Sequence, residues 1–128
     1  MECSLPIRVR YNECDPMGIV HHSVYPVWFE MGRIEWLRTQ GNNYKCLDEE
    51  NVHFVVTTLQ VKYHAPAKYD DDLILITTCI KNSKATLTHS YELKHRNTLL
   101  TKGETVIACV DKDGQVQQIP CTIKSICE

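Results

Sequence analysis

Residues 23–40 read Ser23-Val24-Tyr25-Pro26-Val27-Trp28-Phe29-Glu30-Met31-Gly32-Arg33-Ile34-Glu35-Trp36-Leu37-Arg38-Thr39-Gln40. Val24, Trp28, Met31, Ile34, Glu35, Leu37 and Arg38 follow three- and four-residue steps, the period of a helix. Val27, Phe29 and Trp36 widen its apolar face, so the helix is expected to be largely enclosed. Ser23 has a capping side chain, and Pro26 is tolerated only in a first turn, so the helix should start close to Ser23. Gly41-Asn42-Asn43 should end it. A shorter second helix is expected over Tyr44 to Glu50.

On both sides of this segment the period falls to two. Ile7, Val9 and Tyr11 alternate with Arg8 and Arg10, a half-buried strand over Ile7–Tyr11 that runs into the turn Asp15-Pro16-Met17-Gly18. Four further strands are expected at Val52–His64, Leu73–Ile80, Ala85–His95 and Leu99–Val110, with Asn97 and Thr98 turning tightly between the last two. The order is strand, long helix, four strands. One sheet must bury one long apolar helix, which gives an α+β two-layer fold. At 128 residues the chain is read as a single domain over 1–128.

Composition narrows the function. Hydrophobic residues are 43% and charged residues 23%, as in an ordinary globular domain. Fourteen basic against sixteen acidic residues leave a net charge of -2, so a nucleic-acid partner is not expected. No apolar run reaches the length of a membrane span, and Met1-Glu2-Cys3-Ser4-Leu5-Pro6 does not begin a signal peptide. Cysteines stand at 3, 14, 46, 79, 109, 121 and 127 with no CxxC pair, which supports neither zinc nor redox chemistry. They are read as mostly thiols of a reducing, cytoplasmic compartment.

Asp15 is the first candidate for chemistry. It lies where a strand ends and a buried helix is about to begin, so its carboxylate stands near the free N–H groups of a helix start. The plainer reading is a turn closed by an Asx hydrogen bond. His21-His22 comes next. Adjacent imidazoles point apart and no third ligand has useful spacing, so no metal is expected, although one ring could meet Asp15 as an acid-base partner. Glu30, Arg33 and Glu35 read as solvated or interface ion pairs, with Arg33 able to reach Glu30 at i+3. Asp70-Asp71-Asp72 marks a turn. Asp111-Lys112-Asp113-Gly114 opens like a calcium loop but lacks its closing Glu, and reads as a hairpin turn. GxGxxG, a phosphate loop and GxSxG are all absent.

These residues resemble a known family. Arg8-Val9-Arg10-Tyr11-Asn12-Glu13-Cys14-Asp15-Pro16-Met17-Gly18-Ile19-Val20-His21-His22, with Tyr25, Phe29-Glu30 and Arg33-Ile34-Glu35-Trp36-Leu37-Arg38, is similar to hot-dog-fold acyl-CoA thioesterases of the YbgC and 4-hydroxybenzoyl-CoA thioesterase type. Phe54-Val55-Val56, Val61-Lys62-Tyr63 and Ala65-Pro66-Ala67, followed by an acidic turn and Leu73, carry the likeness further. It spans residues from about 7 to 112.

The resemblance implies an antiparallel β-sheet wrapped around one long central α-helix. It implies hydrolysis of an acyl-CoA thioester to a carboxylic acid and free CoA, with no cofactor and no metal. Asp15 matches the family's essential carboxylate, as nucleophile or as general base on water. Position 22 matches the helix-start residue whose backbone N–H polarises the carbonyl, and His22 would assist or orient. One carboxylate and one oxyanion donor suffice because a thioester is already electrophilic. Rival readings are a non-catalytic acyl-CoA-binding hot-dog domain and a hot-dog dehydratase. Tyr25, Trp28 and Phe54 are candidates to line the acyl cleft, and Lys62, Lys68, Lys81 and Lys84 are candidates for the CoA phosphates. The family implies a homodimer, or a pair of dimers forming a homotetramer, with Asp15 close to the subunit boundary.

Overall fold

The computed structural model describes residues 2–120 and residue 123, so Cys121 and Cys127 lie outside the described residues. Helix α1 spans Val24–Thr39 and helix α2 Tyr44–Glu49. The residues that α1 buries are Tyr25, Trp28, Phe29, Gly32, Arg33, Trp36 and Leu37, one stripe at three- and four-residue steps. The expected stripe was centred about one residue away. Val27 and Met31 are exposed, so the helix is enclosed on one face only.

Five strands form one antiparallel sheet: β1 Glu2–Arg8, β2 His53–Tyr63, β3 Asp72–Asn82, β4 Thr86–His95 and β5 Thr98–Val110, in the order β1-β3-β4-β5-β2. Alternate side chains of β3 (Leu73, Leu75, Thr77, Cys79) and β4 (Leu87, His89, Tyr91, Leu93) are buried on the helix side. This is the sheet wrapped around a long helix that the resemblance implies. Two glycines set how closely the layers meet. A methyl on Gly32 would press on Leu75 Cδ2 at 2.8 Å, and one on Gly103 would run into the Phe29 ring.

Three expectations shift. The first strand ends at Arg8, and Tyr11–Glu13 forms a 3-10 turn, because the Glu13 carboxylate takes the Arg10 N–H at 2.7 Å and curls the chain. The hairpin between β4 and β5 turns at Arg96-Asn97, closed by the pair His95 and Thr98, with Arg96 at φ 58°. Cys79 is disulfide-bonded, whereas Cys3, Cys14, Cys46 and Cys109 are free. Among the described residues no helix is long and apolar enough to cross a membrane.

The core divides along α1. Tyr25, Trp28 and Phe29 pack with Ile7, Val9, Val20, Leu73 and Leu93 at the start of the helix. Trp36 and Leu37 pack with Leu47, Leu87, Ile107 and Cys109 at its end. The functional candidates lie at the first end.

Candidate active site

The approach to α1 is a tight turn. Asp15 Oδ1 accepts the N–H groups of Met17 at 2.8 Å and Ile19 at 3.4 Å, Asp15 N donates to the Ile19 carbonyl, and Gly18 N donates to the Asp15 carbonyl. Gly18 supplies the positive φ of 81° that the turn needs. Asp15 is therefore the Asx turn that the plainer reading expects, with a second oxygen to spare. Its Oδ2 takes no donor among the described residues, and Asp15 is half-buried.

The helix start is capped by a histidine. His21 Nδ1 stands 3.2 Å from the Ser23 N–H and 2.7 Å from the Ser23 hydroxyl, while the His21 carbonyl accepts from Val24 N. Ser23 itself, the expected cap, makes no capping bond. His21 N donates to the Glu13 carbonyl. The next donor along the chain, His22 N–H, has no acceptor among the described residues. His22 precedes the Ser23 cap position, so its amide lies outside the hydrogen bonding of α1, and His22 lines a cleft.

Pro26 shapes the same turn. It has no N–H, so the His22 carbonyl loses the donor that an i+4 residue would supply. The Tyr63 hydroxyl takes its place at 2.8 Å. Tyr63 in turn meets Tyr25 edge-on, with ring centroids 5.1 Å apart. Burial raises the pKa of both phenols, so each remains a neutral donor at neutral pH.

Asp15, His22, Tyr25, Tyr63 and His64 line one cleft of about 320 Å³, which Ala65 and Pro66 help to close. The structure thus brings Asp15, His22 and Tyr25 together. Trp28 stays in the core, 1% exposed, its indole N–H donating to Glu13 Oε2 at 3.0 Å. Phe54 lines a different cavity near the far end of α1. The two imidazoles do not diverge: their rings lie 4.2 Å apart, and neither bonds Asp15. Among the described residues no group of three or more His, Cys, Asp or Glu is placed to hold a metal.

Other candidates scatter. Lys68 borders the turn through the bridge between Ile19 and Lys68. Lys81, near the other end of β3, and Lys84, just past it, stand roughly 30 Å or more along the strand at ~3.3 Å per residue. Lys62 lies on β2 beside Lys102, at a separate depression. Reading the sequence missed Tyr63 and Glu13 as positioning residues. The missing N–H of Pro26 was the available sign that the His22 carbonyl needs a donor from elsewhere.

Residues 17–102 match the model of the thioesterase superfamily. The chain is 37% identical over 109 residues to the acyl-CoA thioesterase YbgC of Haemophilus influenzae, covering 84% of this chain and 80% of that one. It is 36% identical over 107 residues to the acyl-CoA thioester hydrolase YbgC of Escherichia coli O157:H7, covering 83% and 80%. The solved 4-hydroxybenzoyl-CoA thioesterase of Pseudomonas sp. strain CBS-3 superposes with a TM-score of 0.90 at 16% identity, over 98% of this chain and 99% of that one, a likeness of fold. Model match, identity and shared hot-dog architecture agree, and the chain belongs to the thioesterase superfamily.

Proposed function

We propose that this protein hydrolyses an acyl-CoA thioester to a carboxylic acid and free CoA at the cleft between Asp15 and the start of α1. The observation that carries the reading is the pairing of an unengaged carboxylate oxygen with an unengaged helix-start amide in one cleft. The family and the activity named for its YbgC relatives support the same chemistry.

The His22 N–H donates to the thioester oxygen as negative charge develops there, where the helix start also favours it. Asp15 Oδ2 acts in one of two ways. It attacks the carbonyl carbon, expelling CoA thiolate and leaving a mixed anhydride that water opens. Or it takes a proton from a water whose oxygen attacks, the tetrahedral intermediate then expelling thiolate. In both, the carbon–sulfur bond breaks, water supplies the new oxygen of the acid, and a proton ends on the thiol. The Tyr63 hydroxyl fixes the His22 carbonyl and so the orientation of the peptide next to the reacting amide. The reading sets the reaction in the cytoplasm, a compartment that the free thiols of Cys3, Cys14, Cys46 and Cys109 suit and the disulfide-bonded Cys79 does not.

Thiol release from short-chain, long-chain and aromatic acyl-CoAs tests the reading. Turnover of at least one class, abolished by Asp15→Asn, is expected. Binding without thiol release from any of them would overturn it.

A further inference from the structure

Near the far end of α1 lies a second cavity, of about 830 Å³, that the thioester reading does not use. His22 and Arg33 are eleven residues apart, which is about 16 Å along a helix axis at ~1.5 Å per residue. Arg33 lines this cavity and is only 7% exposed. The expected ion pair with Glu30 does not form, and Arg33 has no carboxylate within ion-pair distance among the described residues. Its partners are neutral. Nη1 donates to the Tyr91 hydroxyl at 3.1 Å, and the Tyr44 phenol stands beside the same guanidinium.

A buried cation with only neutral partners is an incomplete site. It is also a rigid one. The Tyr91 ring lies flat on Phe29, with centroids 4.2 Å apart and planes 7° apart, and its hydroxyl is shared with Thr105 Oγ1 at 2.6 Å. The guanidinium has five N–H donors, more than two phenols satisfy. The remainder of the lining carries Lys45 against Glu30, and Arg38, whose guanidinium is already paired with Glu35, so Arg33 keeps the cavity's balance of charge positive. The opposite wall is apolar, formed by Phe54, Val56 and Ile107.

A planar fork of donors above an apolar wall matches a carboxylate on an aliphatic stem. We infer that this cavity is a second ligand site, which binds an aliphatic carboxylate with Arg33 as its anchor. Two sources share that chemistry: a free fatty acid, and the far carboxylate of a dicarboxylic acyl group.

Calorimetry on the full chain with octanoate tests the inference without relying on catalysis. Saturable binding is expected, with octanol and octylamine at least tenfold weaker. Arg33→Gln should weaken octanoate at least tenfold. Should that variant fail to fold, Lys45→Glu on the exposed rim should weaken it several-fold. Hydrolysis of suberyl-CoA against octanoyl-CoA separates the sources. A lower KM for suberyl-CoA that Arg33→Gln removes assigns the site to the acyl group, and equal KM values beside octanoate binding assign it to the free acid. Absence of octanoate binding, equal binding of octanol, or unchanged affinity in the folded variants would overturn the inference. So would a cavity filled by a second copy's carboxylate and closed to octanoate.

Discussion

Asp15 and Asp111 make the same turn. Each Oδ1 accepts the N–H groups two and four residues on, each carbonyl accepts from the glycine three residues on, and Gly18 and Gly114 share a positive φ near 80°. The local structure of the two aspartates is therefore alike, and their difference lies in what surrounds them. Asp111 closes the strand pair of Val110 and Val116, while Asp15 faces a cleft that contains an unpaired helix-start amide.

Asparagine separates the two jobs of Asp15. Its side-chain oxygen still closes an Asx turn, so Asp15→Asn should fold with nearly unchanged stability. It offers no basic oxygen, so kcat should fall by roughly a hundredfold or more. Turnover assays beside thermal melts of the purified variant check both halves. Near-normal turnover would remove Asp15 from the chemistry.

The sequence made this turn legible and left its importance illegible. Asp-Pro-Met-Gly and Asp-Lys-Asp-Gly both announce a turn; its place before the long helix makes Asp15 a candidate, and the family likeness is what sets it above the plain turn. The long helix was plain from its period, since buried Trp28 and Trp36 are eight residues apart on one face. Its phase was misread because Val27 and Met31 are as apolar as the residues that face the sheet. Arg33 was read as a surface charge because nothing local shows that Tyr91, 58 residues later, waits beneath it.

His22 should tolerate truncation better than Asp15 does. The proposed oxyanion donor is its backbone N–H, which survives in His22→Ala. The residual kcat of that variant should exceed that of Asp15→Asn by at least tenfold. Tyr63→Phe, which removes the donor to the His22 carbonyl, should lose activity by only a few-fold. A His22→Ala defect as deep as that of Asp15→Asn, with the fold intact, would assign the imidazole itself to the chemistry.

His89 should make the fold sensitive to acid. It is fully buried on β4 against Trp36 and Tyr91, and neither ring nitrogen has a hydrogen-bond partner among the described residues. Burial, reinforced by the nearby Arg33 charge, lowers its pKa from 6.5 to about 3. Between those values the unfolded chain binds a proton that the folded one refuses. Stability should therefore fall as pH drops below about 6.5, with a slope approaching ~1.4 kcal/mol per pH unit from this group. Urea melts from pH 7 to pH 4 should show a shallower loss in His89→Leu than in the parent protein. Parallel curves would show that His89 contributes nothing to the acid response.

Assembly follows from the two sheet edges. The strands expected at Leu73–Ile80 and Ala85–His95, β3 and β4, are interior and paired on both sides. The true edges are β1 and β2. β1 carries Pro6, which removes a backbone donor and suits an edge that stays unpaired. β2 has no proline across its eleven residues and exposes Val55, Val56, Leu59 and Tyr63. A long apolar edge of this kind is a template for another strand, and a two-fold axis through β2 would pair it with its own copy. Tyr63 sits on that edge and also lines the Asp15 cleft, so each cleft would lie at the subunit boundary, two per dimer. Light scattering at micromolar concentration should give the mass of a dimer, or of two dimers. Lysines at both Val55 and Leu59 should shift the protein toward monomer and lower its activity, because they place like charges across the axis. A fully active monomer of the parent protein would show that β2 remains a free edge and that one copy of the cleft is sufficient.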